Sequence, residues 1–367
     1  MEDMRAALAL QMIKDIGPAT AKTLIDAIGS PSEVFGVDMD VLRAVDRLRA
    51  ARAENIRTFN AWDDVDTILE ECRKKSINLT YYGADDYPEL LGQITDPPSI
   101  IYFRGSLVPQ DKYAVSMVGA RRASSYGKSV ARYISEQLSS MGFTIVSGMA
   151  RGIDSISHRG ALRKDGRTIA VLGSGIDVIY PPENHDLYDR ISRSGSVISE
   201  FPLTTAPHKE NFPRRNRVIS GLSLGVIVVE ASKGSGTLIT AMSALEQNRD
   251  VFAVPGNINS GNSYGTNELI KGGAKVLTRP DDVVEELGHQ LKGFIKTEKR
   301  KKIDITTEEK QICDILSGEP VHIDDITRRS GYPSSKILGL LLGLELKSVV
   351  GQVEGKKFFL MQEEHGV

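Results

Sequence analysis

Phe212 to Arg217 reads Phe-Pro-Arg-Arg-Asn-Arg in a chain of 367 residues, with Lys209 three positions upstream. Lys209, Arg214, Arg215 and Arg217 face one acid, Glu210, so the segment carries a local charge of +3. Guanidinium groups hold phosphate through paired N–H donors, and an aromatic ring beside them offers a base a face to stack on. Together these are the smallest device for holding a single nucleic-acid strand. The alternative is an arginine-rich helix start whose cations pair with carboxylates such as Glu200 and Glu230 while Phe212 fills core. Lys233-Gly234-Ser235-Gly236-Thr237 favours the first reading, because it sets a second anion-binding loop at the start of another helix.

Two further turns have the same character. Val118-Gly119-Ala120-Arg121-Arg122 leads through Ser124, Tyr126 and Gly127 into a helix opening at Lys128, so amides and two guanidiniums form a phosphate cradle. Ser147-Gly148-Met149-Ala150-Arg151-Gly152-Ile153-Asp154 offers two glycines for close backbone approach and Asp154 as a helix cap. Familiar nucleotide fingerprints fail on spacing. Gly127-Lys128-Ser129 would need glycine where Arg122 stands, which excludes a P-loop. Gly173-Ser174-Gly175 has Val178 where a dinucleotide fingerprint needs its third glycine.

Catalytic groups are sparse. The sequence holds no Gly-x-Ser-x-Gly elbow; its two cysteines, Cys72 and Cys313, lie far apart; its six histidines are scattered. Asp154, Asp177, Glu200 and Glu230 read as caps and arginine partners. The expectation is binding without chemistry, with no catalytic residue, metal or cofactor.

The elements that would position these residues follow from periodicity. Apolar runs predict strands at 114–118, 144–147, 168–172, 196–199, 226–229 and 251–254, separated by helices such as 128–141 and 154–164. Strands alternating with helices imply a doubly wound, mostly parallel α/β sheet of extended Rossmann-like form. Most of its strands end in Gly119, Gly148, Gly173, Glu200, Glu230 or Gly256, so the carboxyl edge is a row of open turns, where such sheets bind ligands.

Residues 1–78 read as a helical domain. Ile16-Gly17-Pro18-Ala19-Thr20-Ala21-Lys22 resembles a helix-hairpin-helix, and a packing module of the sterile-alpha-motif kind is the alternative. The α/β domain is expected over 79–290, with 79–110 a bridge rich in turn signals. A basic linker covers 291–305, where Lys292 to Lys302 holds six Lys/Arg against Glu298. Residues 306–367 read as three helices and a hairpin, a winged helix whose third helix is poor in cations and serves protein packing at least as well as DNA reading.

The composition, 40% hydrophobic and 26% charged with a net charge of −2, gives no global field for nucleic acid, so an anionic partner must meet a local patch. Glu2 and Asp3 replace a basic signal-peptide start, and no stretch nears the roughly 20 apolar residues of a membrane span. The expectation is a cytoplasmic protein without a membrane partner.

The segments 118–127, 147–154, 173–184, 199–202, 212–223, 228–241, 251–256 and 264–274, with 87–105 before them, closely resemble the DprA/Smf family, the DNA-processing proteins of bacterial natural transformation. The resemblance spans about residues 80 to 288. It implies single-stranded DNA binding, protection of incoming strands, loading of RecA recombinase and a homodimer formed through the Rossmann domain. A single-strand-binding protein is a further expected partner. The family's DNA pocket carries over onto Arg121, Ser147, Gly148, Lys209 and Phe212, and onto Arg214, Asn216, Arg217, Lys233 and Gly236. A rival class is the lysine-decarboxylase-like nucleoside-phosphate hydrolases, whose loop keeps Gly236-Thr237 but whose glutamate is replaced by Thr240.

Overall fold

In the computed structural model, residues 2–46, 48–291, 306–316, 320–346, 349–353 and 355–360 are described. The basic linker, the hairpin position Glu354 and Met361 lie outside them. The chain divides into two units, Met1–Ile295 and Lys296–Val367.

The first unit is built on nine strands: β1 (Asn78–Tyr81), β2 (Ile100–Gly105), β3 (Ala114–Val118), β4 (Thr144–Ser147), β5 (Thr168–Val171), β6 (Ser196–Ser199), β7 (Gly225–Val228), β8 (Asp250–Ala253) and β9 (Lys275–Val276). The six predicted strands are β3 to β8, each within one residue at either end. Their order in the sheet is β1-β2-β6-β5-β4-β3-β7-β8-β9. Strands β3 to β9 are parallel, and β1 and β2 run antiparallel at one edge. Chain order reverses at β3, which pairs with both β4 and β7. Val118 sits opposite Val228, so the loops that follow β3 and β7 open at the same level.

Every residue of β3, β4, β5, β6 and β7 is buried, which is why the strands read as continuous apolar runs. Alternate residues serve opposite faces: Val226 and Val228 join the helices Asn211–Gly221 and Gly236–Glu246, whereas Ile227 and Val229 join Ser125–Ser140 and Ile153–Arg163. The bridge expected over 79–110 is corrected by the structure. It holds most of β1 and all of β2, whose Ile100 to Phe103 are buried and whose Tyr102 to Gly105 pair with β6.

The N-terminal helices Glu2–Met12, Pro18–Ile28 and Trp62–Lys74 do not stand apart. Leu8, Val65 and Cys72 share one apolar cluster with Tyr102, Leu172 and Tyr188, so a common core crosses residue 78. Gln11 donates to the Glu200 carbonyl at 2.9 Å and accepts from the Tyr102 hydroxyl at 3.0 Å. In the hairpin-like motif, Lys22 is engaged by Asp26 and Tyr82.

The second unit has helices Thr307–Ile315, Ile323–Ser330 and Ser334–Leu346, and strands β10 (Val321–His322), β11 (Val350–Val353) and β12 (Lys357–Leu360) in the order β10-β12-β11. Ile312, Ile326, Ile337 and Leu341 form its core. Lys336, the third helix's one cation, pairs with Glu308 at 2.7 Å, and Leu338 and Leu342 are exposed.

One buried group couples this fold to pH. Burial, with Arg215 and Arg159 adding to it, pushes the His158 imidazole down to about 3. Thr168 donates its hydroxyl proton to the Ile145 carbonyl (2.6 Å), so His158 Nδ1–H donates to Thr168 Oγ1 (2.7 Å). The Nε2 atom is buried without a partner among the described residues. An unfolded histidine protonates near 6.5, so the unfolded chain binds the extra proton below that pH and stability falls as pH drops from about 6.5 toward 3. Urea unfolding at pH 6.5 and pH 5 should show about 2 kcal/mol more loss in the wild type than in His158→Leu. Parallel losses would remove His158 as the cause.

Candidate nucleic-acid interface

The carboxyl ends of β3, β4 and β7 enclose a cavity of about 440 Å³ at the point where chain order reverses. Its walls include Arg121 and Arg122 after β3, Phe212, Arg215 and Asn216 from the helix Asn211–Gly221, and the turn from Ser232 to Thr237 after β7. A smaller cavity of about 30 Å³ adjoins it, shares Arg121, Phe212 and Arg215, and adds Gly148 and Tyr180.

The loop after β3 is held from below by Glu230, which is buried. Its carboxylate accepts from the Ser124 amide at 3.0 Å and from the Ser124 hydroxyl. Ser124 in turn caps the helix Ser125–Ser140 by accepting from the Gly127 amide at 3.0 Å. A Cβ on Gly127 would lie 2.3 Å from the Glu230 carboxyl carbon, so glycine is required there by close packing. Asn262 donates to the Arg122 carbonyl at 3.2 Å. The loop is thereby fixed with Arg121 and Arg122 exposed, and neither has a carboxylate partner among the described residues.

Arg215 forms the floor. It is buried, and its Nη1 donates to the carbonyls of Gly148 (2.5 Å) and Val171, at the ends of β4 and β5. Burial lowers its pKa to about 10, partly offset by Asp154, so the guanidinium stays charged at neutral pH. Asp154 accepts from the amides of Gly148 (3.2 Å) and Ala150 (3.4 Å), and its burial raises its pKa against the pull of Arg215. Phe212 sits half-buried among cations: Arg121 Cζ lies 5.3 Å and Arg215 Cζ 5.9 Å from its ring centre, and Tyr180 lies 5.9 Å away at a 41° tilt. Gly173 backs the ring, where a Cβ would approach to 2.8 Å.

The turn after β7 supplies the third side. Ser235 caps the helix Gly236–Glu246 by accepting from the Thr237 amide at 3.2 Å. Gly234 has φ +69° and Gly236 has no atom within 4 Å of a built Cβ, so the start of the helix is open to a ligand. Gly236 and Thr237 line the cavity at the start of an eleven-residue helix, whose dipole favours an anion there.

The structure separates the ten sequence-predicted residues into three groups. Arg121, Phe212, Asn216 and Gly236 line the larger cavity, and Gly148 the smaller. Lys209, Arg214 and Lys233 are exposed outside the walls; Arg214 stands 5.2 Å over the Phe201 ring and Lys233 5.9 Å over Tyr264. Ser147 and Arg217 are turned away from it. The Ser147 hydroxyl is buried and donates to the Met117 carbonyl at 2.6 Å. Arg217 pairs with Asp96 (3.1 Å) and Glu200 (2.5 Å), with its side chain 11% exposed. Gly148 is also approached by protein: a Cβ there would lie 2.5 Å from the Arg215 guanidinium. Arg215, named in the cationic cluster but not among those ten, lines both cavities, and sequence reasoning left out Tyr180 and Asn262. Tyr180 carried a signal, an aromatic followed by two prolines after a glycine strand end; Asn262 carried none.

These observations define a class: a doubly wound α/β protein whose switch-point cleft, cationic at floor and wall and holding one aromatic ring, suits a phosphate-bearing ligand. The model of the DNA recombination-mediator protein A family matches residues 78–288, and that of the DprA winged helix domain matches residues 296–356. The chain belongs to the DNA recombination-mediator protein A family. Protein Smf from Escherichia coli (strain K12) is 38% identical over 278 residues, 73% of this chain and 74% of that one. DNA processing protein DprA from Bacillus subtilis (strain 168) is 40% identical over 244 residues, 66% of this chain and 82% of that one. The crystal structure of DNA processing protein A from Streptococcus pneumoniae superposes with a TM-score of 0.64 at 33% identity, covering 76% of this chain and 96% of that one. A structure of the Helicobacter pylori protein, described by its single-stranded DNA binding mode, gives 0.53 at 30% identity over 58% of this chain and 96% of that one. No helix among the described residues is long and apolar enough to cross a membrane.

The place of Arg217 yields a prediction. Arg217→Ala strips the countercharge from Glu200, whose carboxyl burial already pushes up. Breaking a buried pair costs about 3 kcal/mol, so the variant should unfold at clearly lower urea. Native stability with a lost salt dependence of DNA binding would instead make Arg217 a phosphate contact.

Proposed function

We propose that this protein binds single-stranded DNA in the switch-point cleft, protects incoming strands and loads RecA onto them in natural transformation and homologous recombination. In this reading it acts as a cytoplasmic homodimer, joined through the Rossmann domain, and carries no catalysis. The observation that carries the reading is the convergence of Arg121, Arg122, Arg215, Phe212 and the helix start at Gly236 on one cavity, with Arg121 and Arg215 beside the ring. Charge and backbone amides hold phosphates, the ring holds a base, and the remaining contacts with bases need not discriminate. Lys209, Arg214 and Lys233 extend the positive field beyond the cavity, and Ser147 and Arg217 position its walls. The Helicobacter pylori relative supports the choice of ligand, and membership of the family supports the recombination role.

The nucleoside-phosphate hydrolase reading has less support. Asp154 is the one carboxylate among the described residues lining the cavity, and one of its oxygens accepts from two backbone amides. Thr240, where that family has glutamate, also lines it.

The test is a fluorescence-anisotropy titration of labelled oligothymidylate across a salt series with duplex as competitor. Arg121→Ala and Lys233→Ala should each weaken binding and reduce the log–log salt slope by about 0.7. Phe212→Ala should lose about 1–3 kcal/mol of binding with little change in slope. Unchanged affinity and slope in folded variants would sink the cleft assignment. RecA loading is read separately, as a shortened lag in RecA ATP hydrolysis on strands precoated with single-strand-binding protein; an unaltered lag would leave a binder without mediator activity.

A further inference from the structure

The helices Ser125–Ser140 and Ile153–Arg163 lie side by side on one face of the sheet and touch at Gly160. A Cβ there would collide with the Ser135 hydroxyl and lie 3.3 Å from the Arg132 carbonyl oxygen, so glycine is what lets the two backbones come this close. Cations line the groove above that contact. At 100° per residue, Lys128 and Arg132 stand about 20° and 60° round the first helix from Ser135, and Arg163 and Arg159 about 60° and 100° round the second from Gly160. The ion pair of Arg163 with Glu136, 3.3 Å, spans the groove and shows that the two rows border the same side of it.

Lys128 and Arg132 are exposed and Arg159 partly so, and none of the three has a carboxylate partner among the described residues. Glu136 is the one acid of the two rows, and Arg163 holds it. Four cations against one acid make a local positive field on a chain of net charge −2. Arg132 and Arg159 stand near the level where the backbones touch, so close packing brings like charges together, and an anion between the rows relieves their repulsion. The groove also leads to the cleft. The first helix follows the loop of Arg121 and Arg122, the second follows the turn of Ala150, and all three residues line the large cavity.

We propose that a strand held in the cleft leaves it along this groove, with Lys128, Arg132 and Arg159 as phosphate contacts. Lys128 and Arg132 are about one turn, or 6 Å, apart along the helix, so the row suits a ligand that repeats its charge, which a nucleic-acid backbone does. Its contacts are with backbone charge alone, and salt removes the affinity it adds. The groove is a second subsite for the same ligand, and it rests on the single-strand reading of the cleft.

The experiment compares oligothymidylates of about six and about twenty nucleotides on the full chain, wild type against Arg132→Gln, Arg159→Gln, the double variant and Arg193→Gln. Arg193 is an exposed arginine on the helix His185–Ser194, outside the groove. All three side chains are at least partly exposed, so the fold is expected to survive. Arg132→Gln and Arg159→Gln should each weaken the long strand about fivefold at about 0.1 M salt and lower its salt slope by about 0.7, the double variant by about 1.4, with the short strand unchanged. Arg193→Gln should bind both lengths as the wild type does. Long-strand binding equal to wild type in the double variant would overturn the groove while leaving the cleft reading intact. Equal losses on both lengths, or the same loss in Arg193→Gln, would assign the effect to the cleft or to the general field and also overturn it. Failure of the wild type to bind either length would bring down the cleft reading itself, and the groove with it.

Discussion

The burial of the Arg215 guanidinium is the constraint on which the site's geometry depends. Taking such a group out of water costs several kcal/mol unless its donors are met. Here Nη1 is met by carbonyls at the ends of β4 and β5, and Nε by the Asn216 side-chain oxygen at 3.2 Å. The contact locks the helix Asn211–Gly221 onto two strand ends and so sets Phe212 over Gly173. It also dictates neighbours. Gly148 must lack a side chain to admit the guanidinium, and Asp154 must hold the turn in which Gly148 lies. The charge that results is permanent, because even lowered to about 10 the group is protonated at neutral pH.

A buried anion does the complementary work at β7. Glu230 lies inside, pulls Ser124 toward the sheet and leaves the preceding arginines facing outward. On the β3 and β7 side the cleft is therefore layered, with Glu230 beneath and Arg121 and Arg122 on the surface. That layering explains how a chain of net charge −2 offers an anion site: the field is local, focused in a concave turn region, and owes nothing to the global balance.

The strands were legible because a sheet covered on both faces writes itself as short apolar runs with small or polar residues at each end. Strand β2 escaped although Ile100 to Phe103 is such a run, because Pro97-Pro98 just before it gave a turn signal that masked its antiparallel return to β6. Within the site, residue type was legible and direction was not. Arg214, Arg215 and Arg217 look alike in sequence, yet on a helix advancing 100° per residue they end exposed, at the cleft floor and in a pair with Glu200. The carboxylate-pairing alternative holds for Arg217, while Arg214 is exposed and Arg215 lines the cleft. Ser147 shows the same limit, since a strand-end hydroxyl reads as available and here donates to the neighbouring Met117 carbonyl.

The turn after β7 keeps Gly236-Thr237 of the hydrolase loop and has Thr240 in place of its glutamate. A helix start favours an anion whether or not a bond is broken, since its dipole acts on charge already present in the ligand. Activating water needs in addition a carboxylate placed on the reacting atom with an oxygen free to take the proton. Thr240 offers a hydroxyl where that carboxylate would stand. Asp154, the remaining acid of the wall, faces a guanidinium that favours its charged form and two amides that occupy one oxygen. Its bonds hold the turn that carries Gly148, and through it the floor under Phe212. Asp154 thereby contributes to the cleft's shape through the turn that carries Gly148.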